Sequence, residues 1–483
     1  MLRPSIPCAI ALGFIAAGPS CGEKFFECND DVQCRIDALQ GECHSGYCSY
    51  PDEECPSGLR FHASAPDGIA NACVMPGADG TASESGGGVC GDGIVTDDED
   101  CDDANEKDGD GCNRDCNVSG EQVWEQIVAG DGDARGRRLA LGSSDEIVVV
   151  GAAGVASNGA NIFVGKYSED GESLWSQQPG TSSDDEAWAV QISDNDVIVV
   201  GGYVSNAGTG RDFWLASYDA DGDERWQYDL DAATLDPDAI APSDDEVRGL
   251  LFSPPRGIVA VGKSTYGGSD QRFAARGTID AMGIELTSWQ LDDGEEPAEN
   301  DALSDVALIG QSFVVAGRRT NEAGGAQEPW LGWFDGNGMQ TMEATVDPPA
   351  EYAGDDAELL QIWPTADAIY FAASVGGFGS AVDGYYGAVT LGGLPDWSRT
   401  HDDAQADIAH AITLDTEGNV IIVGETGGDT MWIIKLAPDL SELWSDTHDG
   451  VAYDVVADSQ NQIIVTGAVA GEGLDLFVRK YRP

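Results

Sequence analysis

A short apolar run closing on Gly or Ala recurs seven times after residue 122. The runs are "IVVVG" from Ile147, "VIVVG" from Val197, "IVAVG" from Ile258, "FVVAG" from Phe313, "IYFAA" from Ile369, "VIIVG" from Val420 and "IIVTG" from Ile463. β-Branched runs of this length, bounded by Gly and Asp, are buried strands. A second apolar strand follows each, as in "NIFVGKY", "DFWLASY", "EPWLGWF" and "TMWIIKL". Next comes an acidic turn such as "SEDG", "DADG" or "DGNG", suited to a hairpin. Asp221 and Asp223 in the second of these are turn formers rather than metal ligands. A fourth strand then ends in an aromatic residue or Met: Trp175, Trp226, Trp289, Met342, Trp397 and Trp444.

The unit is four strands in about fifty residues, and no helical period of useful length interrupts it. Four strands at this period are the signature of a β-propeller blade, and blades bury their faces only against neighbours, so a ring must close. The seventh unit supplies three strands and stops at Tyr481. Its fourth is expected in "EQVWEQI", at the front of the region, with Trp124 as the seventh member of the aromatic series. The expected fold is all-β: a seven-bladed β-propeller over 122–483, closed by the N-terminal strand of the ring and preceded by two small disulfide-rich modules. Irregular third to fifth units leave six or eight blades open. This region is similar to secreted bacterial β-propeller repeat proteins.

The front of the chain differs. Arg3 and the apolar stretch Cys8–Ala17 read as a signal peptide over 1–20, too short to span a bilayer in the mature protein. Its end, Gly18-Pro19-Ser20-Cys21, resembles a bacterial lipoprotein signal, although that pattern has Leu or a similar residue where Gly18 stands and rarely Pro at Pro19. The resemblance implies lipidation of Cys21 and a lipid anchor to a membrane; ordinary cleavage near Ala17 is the alternative. Of twelve cysteines, removing Cys8 with the signal and giving Cys21 to lipid leaves ten, an even number, all between Cys28 and Cys116. Such usage belongs to an oxidising compartment.

Cys28, Cys34, Cys43, Cys48, Cys55 and Cys73 lie in a first module, 21–76, where little apolar material is available and disulfides must replace a core. Zinc is the sharper alternative there, but His44 and His62 lack the spacing of a ligand pair. A Gly/Ser-rich linker, 77–89, follows. The second module, 90–117, reads "CGDGIVTDDEDCDDANEKDGDGCNRDC" and resembles the myxobacterial cysteine-rich repeat, with Ala104 where that family usually has Gly. The resemblance implies a secreted or surface setting. Two disulfides are expected among Cys90, Cys101, Cys112 and Cys116. Asp102, Asp103, Asp108 and Asp110 are calcium candidates by their hard oxygens, but the string does not fit an EF-hand loop. No other cofactor is expected.

Net charge is −62, with 86 acidic against 24 basic residues, which excludes nucleic acid as a direct partner because phosphates would be repelled. Catalytic motifs of the nucleophile-elbow, metalloprotease and P-loop kinds are missing. His401, His410 and His448 are the only histidines of the repeat region; the first two, with Asp402, Asp403 and Asp407, could gather where inner strands begin, or simply sit in exposed acidic loops. The Trp series loosely resembles that of quinone-dependent propeller dehydrogenases, whose Trp-docking consensus is not reproduced; blade packing by Trp124, Trp175, Trp226, Trp289, Trp397 and Trp444 is the plainer reading. The expected role is a non-enzymatic, envelope-anchored binding or scaffold protein. Its partner is an envelope polysaccharide or protein met by the loops between strands one and two and three and four. The alternatives are a secreted propeller enzyme or a calcium-dependent spacer. Tyr266, Phe378, Tyr385 and Tyr386, read as loop aromatics, would suit stacking on sugar; filling of the irregular blades is the alternative and the plainer reading.

Overall fold

The computed structural model describes residues 34–36, 39–44, 47–52, 55, 59–62, 72–74, 89–96, 99–155, 159–193, 195–231, 244–253, 257–266, 269–280, 283–290, 301–320, 325–376, 382–402, 405–471 and 473–483. Within these, only the backbone is described at 36, 39, 253, 266, 269–280 and 283–290. The signal segment with Cys21, and also Cys28, Phe378 and Asp403, lie outside the described residues, as does most of the linker. The chain divides into two compact units, 1–87 and 88–483.

In the first unit, Glu42–His44, Tyr47–Pro51 and Leu59–Phe61 form an antiparallel sheet. Cys34 bonds to Cys48 and Cys55 to Cys73, and Cys43 is also disulfide-bonded. The core is as small as the composition requires: Cys34, Cys48 and Tyr50, then Phe61 on Val74.

Among the described residues, the second unit contains seven four-stranded antiparallel sheets. Their inner strands are Arg135–Leu141, Glu186–Ile192, Asp244–Ser253, Ala302–Ile309, Ala357–Pro364, Asp407–Leu414 and Val451–Ala457. The apolar runs form the second strands, one from the axis, and are buried on both faces. Buried side chains gather into seven clusters, each shared by two successive blades. The cluster of Leu139, Val149, Phe163, Ile464, Leu476 and Val478 joins blade 7 to blade 1 and closes the ring.

Closure uses the strand expected from the sequence. Gln122–Val128 pairs antiparallel with Leu474–Tyr481 as the fourth strand of blade 7, with Lys480 opposite Trp124. This covers an edge that would otherwise present free N–H and C=O groups. Blade 7 therefore combines segments from both ends of the ring.

The aromatic series sits differently from its expected place. Trp124, Trp175, Trp226, Met342, Trp397 and Trp444 are each the third residue of a fourth strand, not the last. The connecting turns are tight and the strands run on past the aromatic. From there Trp124 Nε1 donates to Glu169 O at 3.2 Å and Trp175 Nε1 to Ala220 O at 3.0 Å. Both acceptors lie in the acidic turn of the next blade. The turn Gly presses on the ring: a Cβ at Gly171 or Gly222 would approach Trp124 or Trp175 within 2.8 or 2.6 Å. These two glycines also adopt φ +83° and +86°, open to few other residues. Trp289 is the seventh residue of Gly283–Gln290, and its side chain is not described.

The cysteine-rich repeat belongs to the same compact unit as the ring rather than standing apart as a spacer. Cys90 bonds to Cys116 and Cys101 to Cys112. Arg482 bridges it to the last blade, reaching Asp115 at 2.9 Å and Glu121 at 3.0 Å. Asp102 organises the repeat by accepting from the backbone N–H groups of Gly91, Asp92, Gly93 and Ala104 at 2.8–3.1 Å. The N–H of Ala104 and those of the opening turn hold its carboxyl below the usual range. Asp103 accepts from Cys112 N, and Asp108 from Arg114. Burial, then the charge of Asp103, pushes Asp110 up. The four calcium candidates do not gather as one ligand set: three are engaged by protein donors.

Two outcomes follow. A chain lacking Gln122–Val128 leaves Leu474–Tyr481 as an open edge and is expected to self-associate or melt well below the full chain, by sedimentation and circular dichroism. Ala104 stands at φ +66°, where the resembling family has Gly. Ala104→Gly is expected to stabilise the repeat by about 1 kcal/mol, read as resistance to urea.

Candidate functional site at the channel mouth

Every inner strand slips register by one residue against its neighbour, and always at the same place. The slips fall between Gly136 and Arg138, Ala187 and Ala189, Val247 and Gly249, Leu303 and Asp305, Leu359 and Gln361, Ala409 and Ala411, and Ala452 and Asp454. A bulge inserts one unpaired residue and re-aims its side chain. The inserted residues are Arg137, Trp188, Arg248, Ser304, Leu360, His410 and Tyr453.

The bulge also explains the Gly that closes the apolar run in five blades and directly follows it, as Gly202, in blade 2. A side chain on Gly151, Gly202, Gly262, Gly317, Gly424 or Gly467 would collide with the carbonyl oxygen of Arg135, Glu186, Glu246, Ala302, Ile408 or Val451, respectively. Each carbonyl lies two residues before the inserted one. Blade 5 accommodates Ala373 at this position.

All seven inserted residues line one cavity of about 230 Å³ on the ring axis, together with Arg138, Arg318 and Glu358. Arg137 is sandwiched between the Trp188 ring at 4.7 Å and the Tyr453 ring at 4.4 Å, and Arg248 covers Trp188 at 5.2 Å. Tyr453, Arg137, Trp188 and Arg248 thus form a cation–π ladder across the mouth. Carboxylates lock its edges. Glu186 accepts from Arg137 at 2.7 Å and from Trp188 Nε1 at 3.1 Å. Glu246 pairs with Arg248 at 3.1 Å and with Arg211; Glu358 pairs with Arg248 at 3.5 Å and with Arg318 at 2.5 Å. His410 stands 3.4 Å from Glu425 and edge-on to Tyr453.

One residue further along three of the inner strands, the side chains tie the blades together. Asp305 accepts from Ile362 N at 3.0 Å, Gln361 from Ile412 N at 2.7 Å, and Asp454 from Leu139 N at 2.6 Å. In each case blade n holds the inner strand of blade n+1. Gln361 also donates to Asp454 at 2.7 Å, and Arg138 lies 3.8 Å from both Asp305 and Asp454. A second cavity of about 410 Å³ opens beyond this layer, lined by Val190, Leu250, Ile362 and Trp363 among others. Burial pushes Asp454 up to about 6, against the pull of Arg138, and raises Asp305 as well.

The structure separates the residues singled out from sequence. His410 enters the mouth. His401 ends a fourth strand and stacks on Trp432 at 4.4 Å; His448 packs on Tyr481, and burial lowers its pKa. Neither of the first two is a free loop residue, because both belong to strands. Tyr385 and Tyr386 are not loop aromatics either: they lie inside Asp383–Thr390, 2% and 4% exposed, and cannot stack on a sugar. Tyr266 closes a second strand with its side chain outside the description. Arg137, Trp188, Arg248 and Tyr453 were missed because a bulge is a matter of register, which apolar periodicity does not reveal.

No protein-family model matches the chain, and no curated protein does. Among solved structures it is similar to the Neurospora crassa Pan2 WD40 domain, with TM-score 0.43 and 11% identity over 72% of this chain and 89% of that one. It is also similar to Chaetomium thermophilum Sqt1 bound to the N-terminus of the ribosomal protein L10 (0.41, 12%, 74% and 89%). BBS1N in complex with ARL6DN is another such structure (0.40, 13%, 76% and 97%).

Asp454 gives a direct titration test. Its folded pKa lies above the unfolded value, so its contribution to stability is complete below about pH 4 and lost as pH rises through about 6. Carboxyl-carbon NMR should show one resonance titrating near 6 that disappears in Asp454→Asn. The variant's melting temperature should vary less over this window than that of the parent chain.

Proposed function

We propose that the chain is an exported, surface-held binding module whose ring of bulge residues receives a carboxylate-bearing group from a protein partner. The observation carrying this reading is the Tyr453–Arg137–Trp188–Arg248 ladder. In a chain of net charge −62, guanidinium groups converge on the axis, held flat by aromatic rings and fixed at their edges by Glu186, Glu246 and Glu358. A guanidinium covered on its faces still offers N–H groups in its plane, and that fork matches a carboxylate. The acidic surface disfavours long polyanions, leaving a single acidic end or side group as the fitting ligand.

This places the working face where inner strands begin, opposite to the loops between strands one and two. Binding rather than catalysis fits a mouth whose charged groups are tied in ion pairs. The disulfides belong to an oxidising compartment. The resemblance of Gly18-Pro19-Ser20-Cys21 to a lipoprotein signal and that of residues 90–117 to a myxobacterial surface repeat support attachment to the outer envelope.

The test uses the mature chain from Gly22, immobilised and presented with envelope proteins and, separately, envelope polymers. Specific protein retention is expected, weakening with salt. Arg137→Lys combined with Arg248→Lys, which keeps a cation beside Glu186 and Glu246 but loses the planar fork, should lower affinity about tenfold or more while the melting temperature stays near that of the parent. Retention unchanged in that variant would remove the mouth as the site. Retention of polymer alone would replace the protein partner by a polysaccharide.

A further inference from the structure

Two blade junctions share an arrangement that the channel mouth does not use. Between blades 2 and 3, Asp212, Asp231 and Asp245 each bring a carboxylate oxygen within 4.8 Å of the others. Between blades 5 and 6, Asp383, Asp402 and Asp407 do the same. The two triplets occupy equivalent positions in the repeat. Asp212 and Asp383 pair with Val204 and Val375, each two residues beyond the Gly202 or Ala373 that faces the bulge. Asp231 and Asp402 each follow the last residue of a fourth strand. Asp245 and Asp407 stand three residues before the inserted Arg248 and His410.

A second observation points to a ligand. Asp212 and Asp383 are each 6% exposed, and in both the Oδ1 atom is buried without a hydrogen-bond partner among the described residues. Their other oxygens are engaged, Asp212 Oδ2 by Asn206 at 2.7 Å and Thr209 at 2.9 Å, Asp383 Oδ2 by the Tyr352 hydroxyl. A buried carboxylate oxygen without a donor is costly, and placing it beside two more carboxylates compounds the cost unless a cation balances them. Asp245 and Asp407 are fully buried, whereas Asp402 is exposed and Asp231 half-buried. Each triplet thus has a closed floor and an open side for entry and for water.

Three other junctions break the set. Asn161 stands in the position of Asp212 in blade 1 and Thr430 in blade 6. Blade 7 has Asp475 there, but the next blade offers Ala134 in place of Asp245.

We propose that the two triplets are calcium sites, each clamping one blade to the next. Hard carboxylate oxygens with room for water and backbone carbonyls are what calcium takes. The proposal is independent of what the channel mouth binds. In the Asp-rich repeat at the front, by contrast, no three described carboxylates come within such range of one another.

The mature chain is stripped with chelator, and calcium is titrated by calorimetry and by melting temperature. Two calcium ions per chain are expected, with a rise in melting temperature of about 5 °C at a hundredfold excess over Kd. Asp212→Asn and Asp383→Asn should each abolish one site and together both, while melting no lower than the parent in chelator. Asp402→Asn, on the open side, repeats the test without touching a buried residue. No binding at about 10 mM calcium overturns the proposal, since extracellular calcium modules saturate well below that. Two ions retained by the double variant overturn it too, and move calcium elsewhere. An equal shift with magnesium overturns the assignment to calcium.

Discussion

A carbonyl oxygen seated where a side chain would otherwise be is the contact on which this ring depends. In six blades a Gly within the second strand lets the inner strand's carbonyl come in close, and the bulge beside it sheds one residue towards the axis. The same Gly that punctuates the sequence therefore shapes the mouth. What it leaves free is the identity of the residue shed. Arg, Trp, Arg, Ser, Leu, His and Tyr stand at seven equivalent places, so packing does not dictate them, and their chemistry can be tuned to a ligand.

Around that contact the blades are joined at three radii. Near the axis, Asp305, Gln361 and Asp454 each hold the backbone of the next inner strand. Midway, apolar clusters fill every junction. At the rim, Trp124 and Trp175 each donate to a turn of the following blade. At both radii a side chain of one blade reaches the backbone of its successor, accepting from an N–H near the axis and donating to a carbonyl at the rim. The acidic residues left over face water or crowd the junctions, where their mutual repulsion must be met locally.

Much of the fold was legible because burial writes itself into β-branched runs. The second strands, the third strands and the closing strand with Trp124 could be read directly. Trp175 and its counterparts were read as strand ends because turn residues precede them closely, yet the strands continue through polar residues such as Ser176 and Gln227 that carry no apolar signal. Tyr385 and Tyr386 were taken for loop residues because their blade is irregular, although the pair lies inside a strand with one ring to each face. The site was illegible for a different reason. Its members are spaced a blade apart, and neither Arg137 nor Trp188 looks unusual among its neighbours. The same is true of Asp212 and Asp383, whose partners come from other strands.

Closing the ring with Gln122–Val128 has a consequence for how the molecule is made. The strand that completes blade 7 is synthesised before any blade, and the strand it pairs with comes after six of them. Until then the first segment has no sheet to join, and every junction cluster but the last can form without it. The final pairing spans some of the longest sequence separations in the molecule, the kind that form late and slowly. Assembly is thus a queue with its first member waiting for its last, and the ring locks only once both ends are present.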